Sequence, residues 1–129
     1  RKLQDLMTAI EARTAGNTRL HLTVAINYGG RDELLRASTR LADKIARGEV
    51  ETPGQADLEA CLDTAGQPDP DLVIRTSGET RVSNFLPWQA AYAEYEFTET
   101  LWPDFSPDEL ASIVQRFSNR QRRFGGVLR

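Results

Sequence analysis

The sequence predicts an α/β architecture, a mostly parallel sheet with helices on both faces, and three observations carry that prediction. The spacing of apolar residues switches between helical and strand periods, in the order helix, strand, helix, short helix, strand, helix, strand, helix. Alternation of this kind puts helices in the crossovers and so makes the strands parallel. The run Leu72-Val73-Ile74 is apolar, partly branched and bounded by Pro70 and Gly78, as a short buried strand should be. No internal repeat, low-complexity tract or linker divides residues 1–129, which read as one unit.

In chain order, residues 1–15 place Leu3, Leu6, Met7 and Ile10 at helical spacing, so an amphipathic helix is expected with Met7 filling the core. Gly16-Asn17 stops it. Leu20, Leu22, Val24 and Ile26 then alternate with Arg19, His21, Thr23 and Ala25, the period of a strand with His21 on its more polar face. Asn27-Tyr28-Gly29-Gly30 follows, where the glycines permit a tight turn or a close approach. Residues 32–47 form a helix with Leu34, Leu35, Ala37, Leu41 and Ile45 on its apolar side, ended by Gly48. A short helix is expected over 55–62, then turns through Gly66, Pro68 and Pro70 into the central strand. Residues 84–92 read as a short helix with Pro87 in its first turn, and 94–98 as a strand. Ser106-Pro107-Asp108-Glu109 is a helix start, with serine as N-cap, proline at N1 and glutamate completing a capping box. Leu110, Ile113, Val114 and Phe117 give that helix its buried stripe.

Composition narrows the function classes. A net charge of −3 and an isoelectric point near 5.2 give no basis for nonspecific nucleic-acid binding. The basic residues Arg116, Arg120, Arg122, Arg123 and Arg129 nevertheless crowd the end of the chain, as a solvated helix face would. A single cysteine, Cys61, excludes an intramolecular disulfide and suits a reducing compartment. With one cysteine and one histidine, both read as structural. No apolar run approaches the roughly 20 residues of a membrane span. The chain opens on Arg1-Lys2-Leu3, mid-helix by pattern and without an initiator methionine, so a fragment of a longer protein is expected.

The chemistry concentrates after the central strand. Arg75 and Arg81 flank Thr76, Ser77, Gly78 and Ser83 in the loop beyond the strand's carboxyl end, where open α/β sheets bind ligands. Guanidinium forks, hydroxyls and free backbone N–H groups suit a diphosphate, whose oxygens only accept. The same residues also allow a plain reading in which Arg75 pairs inside the fold and Glu79 neutralises one arginine. Glu94 by itself reads as a strand-edge surface charge.

Several ordered blocks add to this loop. Residues 71–85, Trp88-Gln89-Ala90-Ala91-Tyr92-Ala93-Glu94 and Leu101-Trp102-Pro103-Asp104-Phe105 are preceded by Val24-Ala25-Ile26-Asn27-Tyr28-Gly29-Gly30-Arg31. They are joined by Phe97-Thr98 and by Arg122-Arg123-Phe124-Gly125-Gly126. Together they resemble the C-terminal half of a cis-prenyltransferase, closest to the bacterial undecaprenyl diphosphate synthases. The resemblance implies cis addition of isopentenyl diphosphate to an allylic diphosphate, farnesyl diphosphate at first, with Mg²⁺ assisting ionisation. It implies that Arg75, Arg81 and Ser83 grip the diphosphate of isopentenyl diphosphate, with the Val82 N–H beside them, and that Glu94 helps hold Mg²⁺ there. Arg123 and Gly125 match the family's terminal Arg-x-Gly element, which reaches a neighbouring subunit's site, and residues 84–88 resemble the contact region of a homodimer. A cytoplasmic protein with at most peripheral membrane contact follows from the family's lipid-carrier product.

The resemblance is incomplete. The family's His-Gly-Asn-Gly-Arg-Trp motif, with the catalytic aspartate before it, is absent, so this chain carries no catalytic residue of its own and is expected to be inactive alone. A non-catalytic partner subunit is the alternative; the presence of Arg75, Arg81, Ser83 and Glu94 argues against it. Pro87 stands where leucine is common and Glu96 where an aromatic residue is usual.

Overall fold

The computed structural model describes residues 2–120. Helix α1 (Lys2–Thr14) is followed by an irregular segment, then α2 (Gly30–Ala46) and the short α3 (Gln55–Glu59). Strands β1 (Leu72–Arg75) and β2 (Glu94–Phe97) pair in parallel, with Leu72 opposite Glu94 and Arg75 opposite Phe97. A 3₁₀ turn (Trp102–Asp104) leads to α4 (Pro107–Ser118). The α/β class and the parallel pairing are as the sequence predicts.

The expected strand over 20–26 does not form among the described residues: no ladder partner faces it, and the segment is irregular and open to solvent. Leu20 and Leu22 are each 77% exposed. Period-2 alternation fixes which side chains share a face, but a strand also needs a neighbour for its N–H and C=O groups. The stripe on α1 meets a similar fate. The helix forms, yet Leu3, Leu6, Ile10 and Met7 are all exposed, so Met7 does not fill the core.

The core lies instead between α2 and α3. Ala37, Cys61 and Leu62 are buried together, with Leu34, Leu41, Leu58 and Trp88 packed on them. Leu35 faces away from it. Against that core stands a polar knot. Glu33 is fully buried and accepts from the Tyr28 hydroxyl, the Asp63 N–H at 2.8 Å and the Gln89 side-chain amide at 3.1 Å. Gln89 Nε2 also donates to Thr64 Oγ1 at 3.0 Å, while its Oε1 is buried without a partner. Turning the amide over would aim that oxygen at the carboxylate, so the orphaned acceptor is the smaller cost. Burial, then the neighbouring Glu33 carboxylate, pushes the Tyr28 phenol well above its ordinary range, so it stays protonated and donating.

Residues 84–92 form turns rather than the expected helix. Ser83, Asn84 and Leu86 have φ of 51°, 64° and 47°, which a right-handed helix cannot accommodate. The strain is held by contacts to the start of α2. Gly30 N–H donates to the Asn84 carbonyl at 2.8 Å and Arg31 N–H to Asn84 Oδ1 at 2.9 Å, so Asn84 satisfies amides that the N-cap Gly29 leaves open. The approach is close enough that a Cβ on Gly30 would lie 2.0 Å from Pro87 Cδ, which fixes glycine there.

The start of α4 is as expected in one half only. Ser106 Oγ accepts from the Glu109 N–H at 3.1 Å. The Glu109 carboxylate does not close the capping box; it accepts from Thr98 Oγ1 at 2.6 Å and Thr100 Oγ1 at 3.1 Å, tying the helix to the end of β2. Ile113 is buried, Phe117 half-buried, and Leu110 and Val114 more exposed than the stripe predicts.

Candidate functional site

The alternation of the paired strands sorts their side chains onto two faces, since opposed residues in a parallel ladder point the same way. Val73, Arg75, Tyr95 and Phe97 share one face; Leu72, Ile74, Glu94 and Glu96 share the other. The first face opens into a cleft of about 270 Å³, lined by Val73, Val82, Phe85, Tyr95 and Phe97 together with Arg75 and Arg81. Tyr95 and Phe97 stack with ring centroids 6.1 Å apart. Phe85 is braced from behind by the Tyr28 ring, edge to face at 5.7 Å.

Arg75 and Ser83 come together as the sequence reading expects. Arg75 Nη2 donates to Ser83 Oγ at 3.4 Å, and among the described residues no carboxylate bonds to this guanidinium. Arg81 follows the plainer reading: its Nε pairs with Glu79 at 2.9 Å, on a side chain 76% exposed. An exposed pair of this kind is worth about 0–1 kcal/mol, so an anion offering a charge-assisted bond of about 1.5–3 kcal/mol draws the arginine away. The Val82 N–H makes no hydrogen bond within the described residues.

Two expectations need correction. The backbone N–H groups of Ser77 and Gly78 are not free for a ligand: they donate to Thr100 and Thr98 carbonyls, both at 2.9 Å, pinning the loop to the exit of β2. Glu94 does not join Arg75 within this chain. It stands on the opposite face and at the opposite end of the ladder, about 10 Å along the strands for three residues of rise. Its carboxylate pairs with Arg120 Nη1 at 3.1 Å. Among the described residues no three acidic, histidine or cysteine side chains converge as a metal site would require. Arg123 and Gly125 lie outside the described residues.

Glu33 and Asn84 are the supporting residues that sequence reasoning missed. Their partners lie 30 or more residues away, as with Glu33 to Asp63 and Asn84 to Arg31. The available signal was the strained Ser83-Asn84 pair itself, since asparagine tolerates positive φ and its amide can cap a helix.

The comparisons with known proteins fit this geometry. The family model described as "Putative undecaprenyl diphosphate synthase" matches residues 1–125. The chain belongs to the cis-prenyltransferase family. It is 46% identical to the isoprenyl transferase of Agrobacterium fabrum over 129 residues, covering 97% of this chain and 51% of that protein. It is 49% identical over 127 residues to the farnesyl-diphosphate-specific ditrans,polycis-undecaprenyl-diphosphate synthase of Shewanella oneidensis, covering 96% of this chain and 46% of the relative. Among solved structures it is similar to the lavandulyl diphosphate synthase of Lavandula x intermedia in complex with dimethylallyl diphosphate. That likeness has a TM-score of 0.89 at 35% identity, with 95% of this chain and 54% of the other covered. This cis-prenyltransferase chain thus spans about half the length of the relatives it matches. No helix among the described residues is long and apolar enough to cross a membrane.

Proposed function

We propose that the protein containing this chain elongates an allylic diphosphate, farnesyl diphosphate at first, with isopentenyl diphosphate in the cis configuration, giving a long polyprenyl diphosphate. In this reading the cleft on the Arg75 face is the isopentenyl diphosphate side of the site. The observation that carries it is Arg75: a guanidinium with no carboxylate partner among the described residues, lining an apolar cleft, with a serine hydroxyl in reach. Such a cation needs an anion, and the walls beyond it need a hydrocarbon. A volume of about 270 Å³ is at or just below the lower end of ligand pockets, roughly 300–1,000 Å³. That scale suits a five-carbon chain with its diphosphate better than a grown polyprenyl tail.

Arg75 and Ser83 would bind the diphosphate by charge-assisted and neutral hydrogen bonds, and Arg81 would join them on leaving Glu79. The Val82 N–H adds a donor whose position costs no reorganisation. Phe85, Tyr95, Phe97 and Val73 would then orient the isopentenyl double bond and keep water from it. Mg²⁺, when bound in a member of this family, supplies charge neutralisation at the diphosphate. The described residues do not build a seat for it beside Arg75, so no step is routed through it. Arg123 and Gly125 would contribute to a neighbouring subunit's site in a homodimer. The chain alone is proposed to be inactive, and the intact protein cytoplasmic with at most peripheral membrane contact.

Calorimetric titration of the full-length polypeptide with isopentenyl diphosphate tests the reading. Arg75→Ala should weaken binding roughly tenfold or more, the loss of a charge-assisted bond. Unchanged affinity would remove Arg75 from the site.

A further inference from the structure

The second face of the sheet carries an arrangement that the proposed reaction does not use. Glu94 and Glu96, two residues apart on β2, face Arg116 in the last turn of α4 and Arg120 two residues beyond its end. Arg120 spans both carboxylates, with Nη1 on Glu94 at 3.1 Å and Nη2 on Glu96 at 2.5 Å. Arg116 closes the other oxygen of Glu96 through Nε at 3.0 Å and through Nη2. The carboxylates are the sheltered partners, with side chains 24% and 14% exposed. Two negative and two positive charges balance, and the C-terminal turn of a helix is where cations are favoured.

We infer that Glu94, within its own chain, is a positioning residue: with Glu96 it anchors Arg120 and Arg116 and so fixes the point from which the chain runs on toward Arg123 and Gly125. Arg123 follows Arg120 by three residues, so the anchor sits immediately before the segment whose placement matters. A carboxylate on the far face from Arg75, already paired with a guanidinium, cannot also ligate a cation on a diphosphate held at Arg75 of the same chain. The part of this inference that concerns the tail's contribution to binding rests on the function proposed above; the anchor itself does not.

A charge exchange in the full-length polypeptide separates the two roles. Glu94→Gln and Arg120→Gln should each raise amide hydrogen exchange over residues 116–120 by about two- to fivefold, the range of an exposed-to-half-buried ion pair. Glu94→Arg combined with Arg120→Glu should bring exchange back toward the wild-type rate. The KM for isopentenyl diphosphate should follow the same order, raised in the single variants and recovered in the exchange, with kcat moving less. Manganese affinity, read by electron paramagnetic resonance in the absence of substrate turnover, should stay within twofold throughout. Unaltered exchange in Glu94→Gln, or no recovery in the double variant, overturns the anchor. A tenfold fall in manganese affinity in Glu94→Gln, unrecovered by the exchange, returns Glu94 to the role of metal ligand. If exchange responds as expected while KM does not, the anchor stands and the proposed substrate role of the tail fails.

Discussion

The two faces of one short parallel ladder have opposite economies of charge. On the Arg75 face a cation stands beside apolar walls with, among the described residues, only a serine hydroxyl as hydrogen-bond partner. On the Glu94 face, among the described residues, Glu94 and Glu96 each have a guanidinium and Arg116 and Arg120 each a carboxylate. The contrast teaches where to look for binding: satisfied charges hold a fold together, and an unsatisfied one beside hydrocarbon waits for a ligand. It also shows how little separates the two fates. In a strand, a shift of one residue moves a side chain to the other face, so a carboxylate's role depends on its parity as much as on its neighbours in sequence.

The largest effect should come from undermining the Arg75 face from behind. Glu33→Ala removes the acceptor for Tyr28, Gln89 and the Asp63 N–H at once, and stranded buried donors cost about 1–3 kcal/mol each. Loss of about 3 kcal/mol or more of unfolding free energy is expected in denaturant titration. Hydrogen exchange at 116–120 should change less than at 84–92 if the two faces are separately supported. Gly30→Ala comes next. Its Cβ would fall against the Pro87 ring, and displacing that loop should cost about 1–3 kcal/mol while also weakening isopentenyl diphosphate binding, because Phe85 and Ser83 ride on the same segment. A variant that lost stability yet bound with wild-type affinity would show that the loop's position does not govern the cleft.

The smallest effect probes the Glu94 face by pH. Hydrogen bonds from Arg116, then Arg120, hold the Glu96 carboxyl below its ordinary value of 4.5. A depressed folded-state pKa contributes stability that is present above the unfolded value and lost as pH falls through the folded one. Wild-type melting temperature should therefore drop on acidification below about pH 4.5 more steeply than that of Glu96→Gln, while above pH 5 the wild type is the more stable of the two. Parallel profiles would mean that the pair contributes nothing.

Much of this was legible in the sequence, for identifiable reasons. Local signals held: Ser106 caps α4, Pro107 sits at N1, and Leu72-Val73-Ile74 is a strand. The Arg75–Ser83 pairing was readable because the two lie only eight positions apart along one loop. What failed depended on distant partners. Leu20 through Ile26 have the right alternation but no neighbouring strand among the described residues, and residues 84–92 have helical composition but φ values imposed by α2. The face that Glu94 takes was not legible because register, which decides it, is a property of two strands and cannot be read from one. Two carboxylates on one face of β2, followed by two arginines at the close of the next helix, were the available clue to its other role.

The single thiol gives the molecule a built-in clock. Cys61 is 3% exposed, wedged between α2 and α3, and Arg40 holds its carbonyl from outside. A small electrophile cannot reach a sulfur packed against these helices, so alkylation must wait for that junction to open. The rate at which a small electrophile marks this one sulfur therefore counts excursions of the α2–α3 core, without any label having to be introduced.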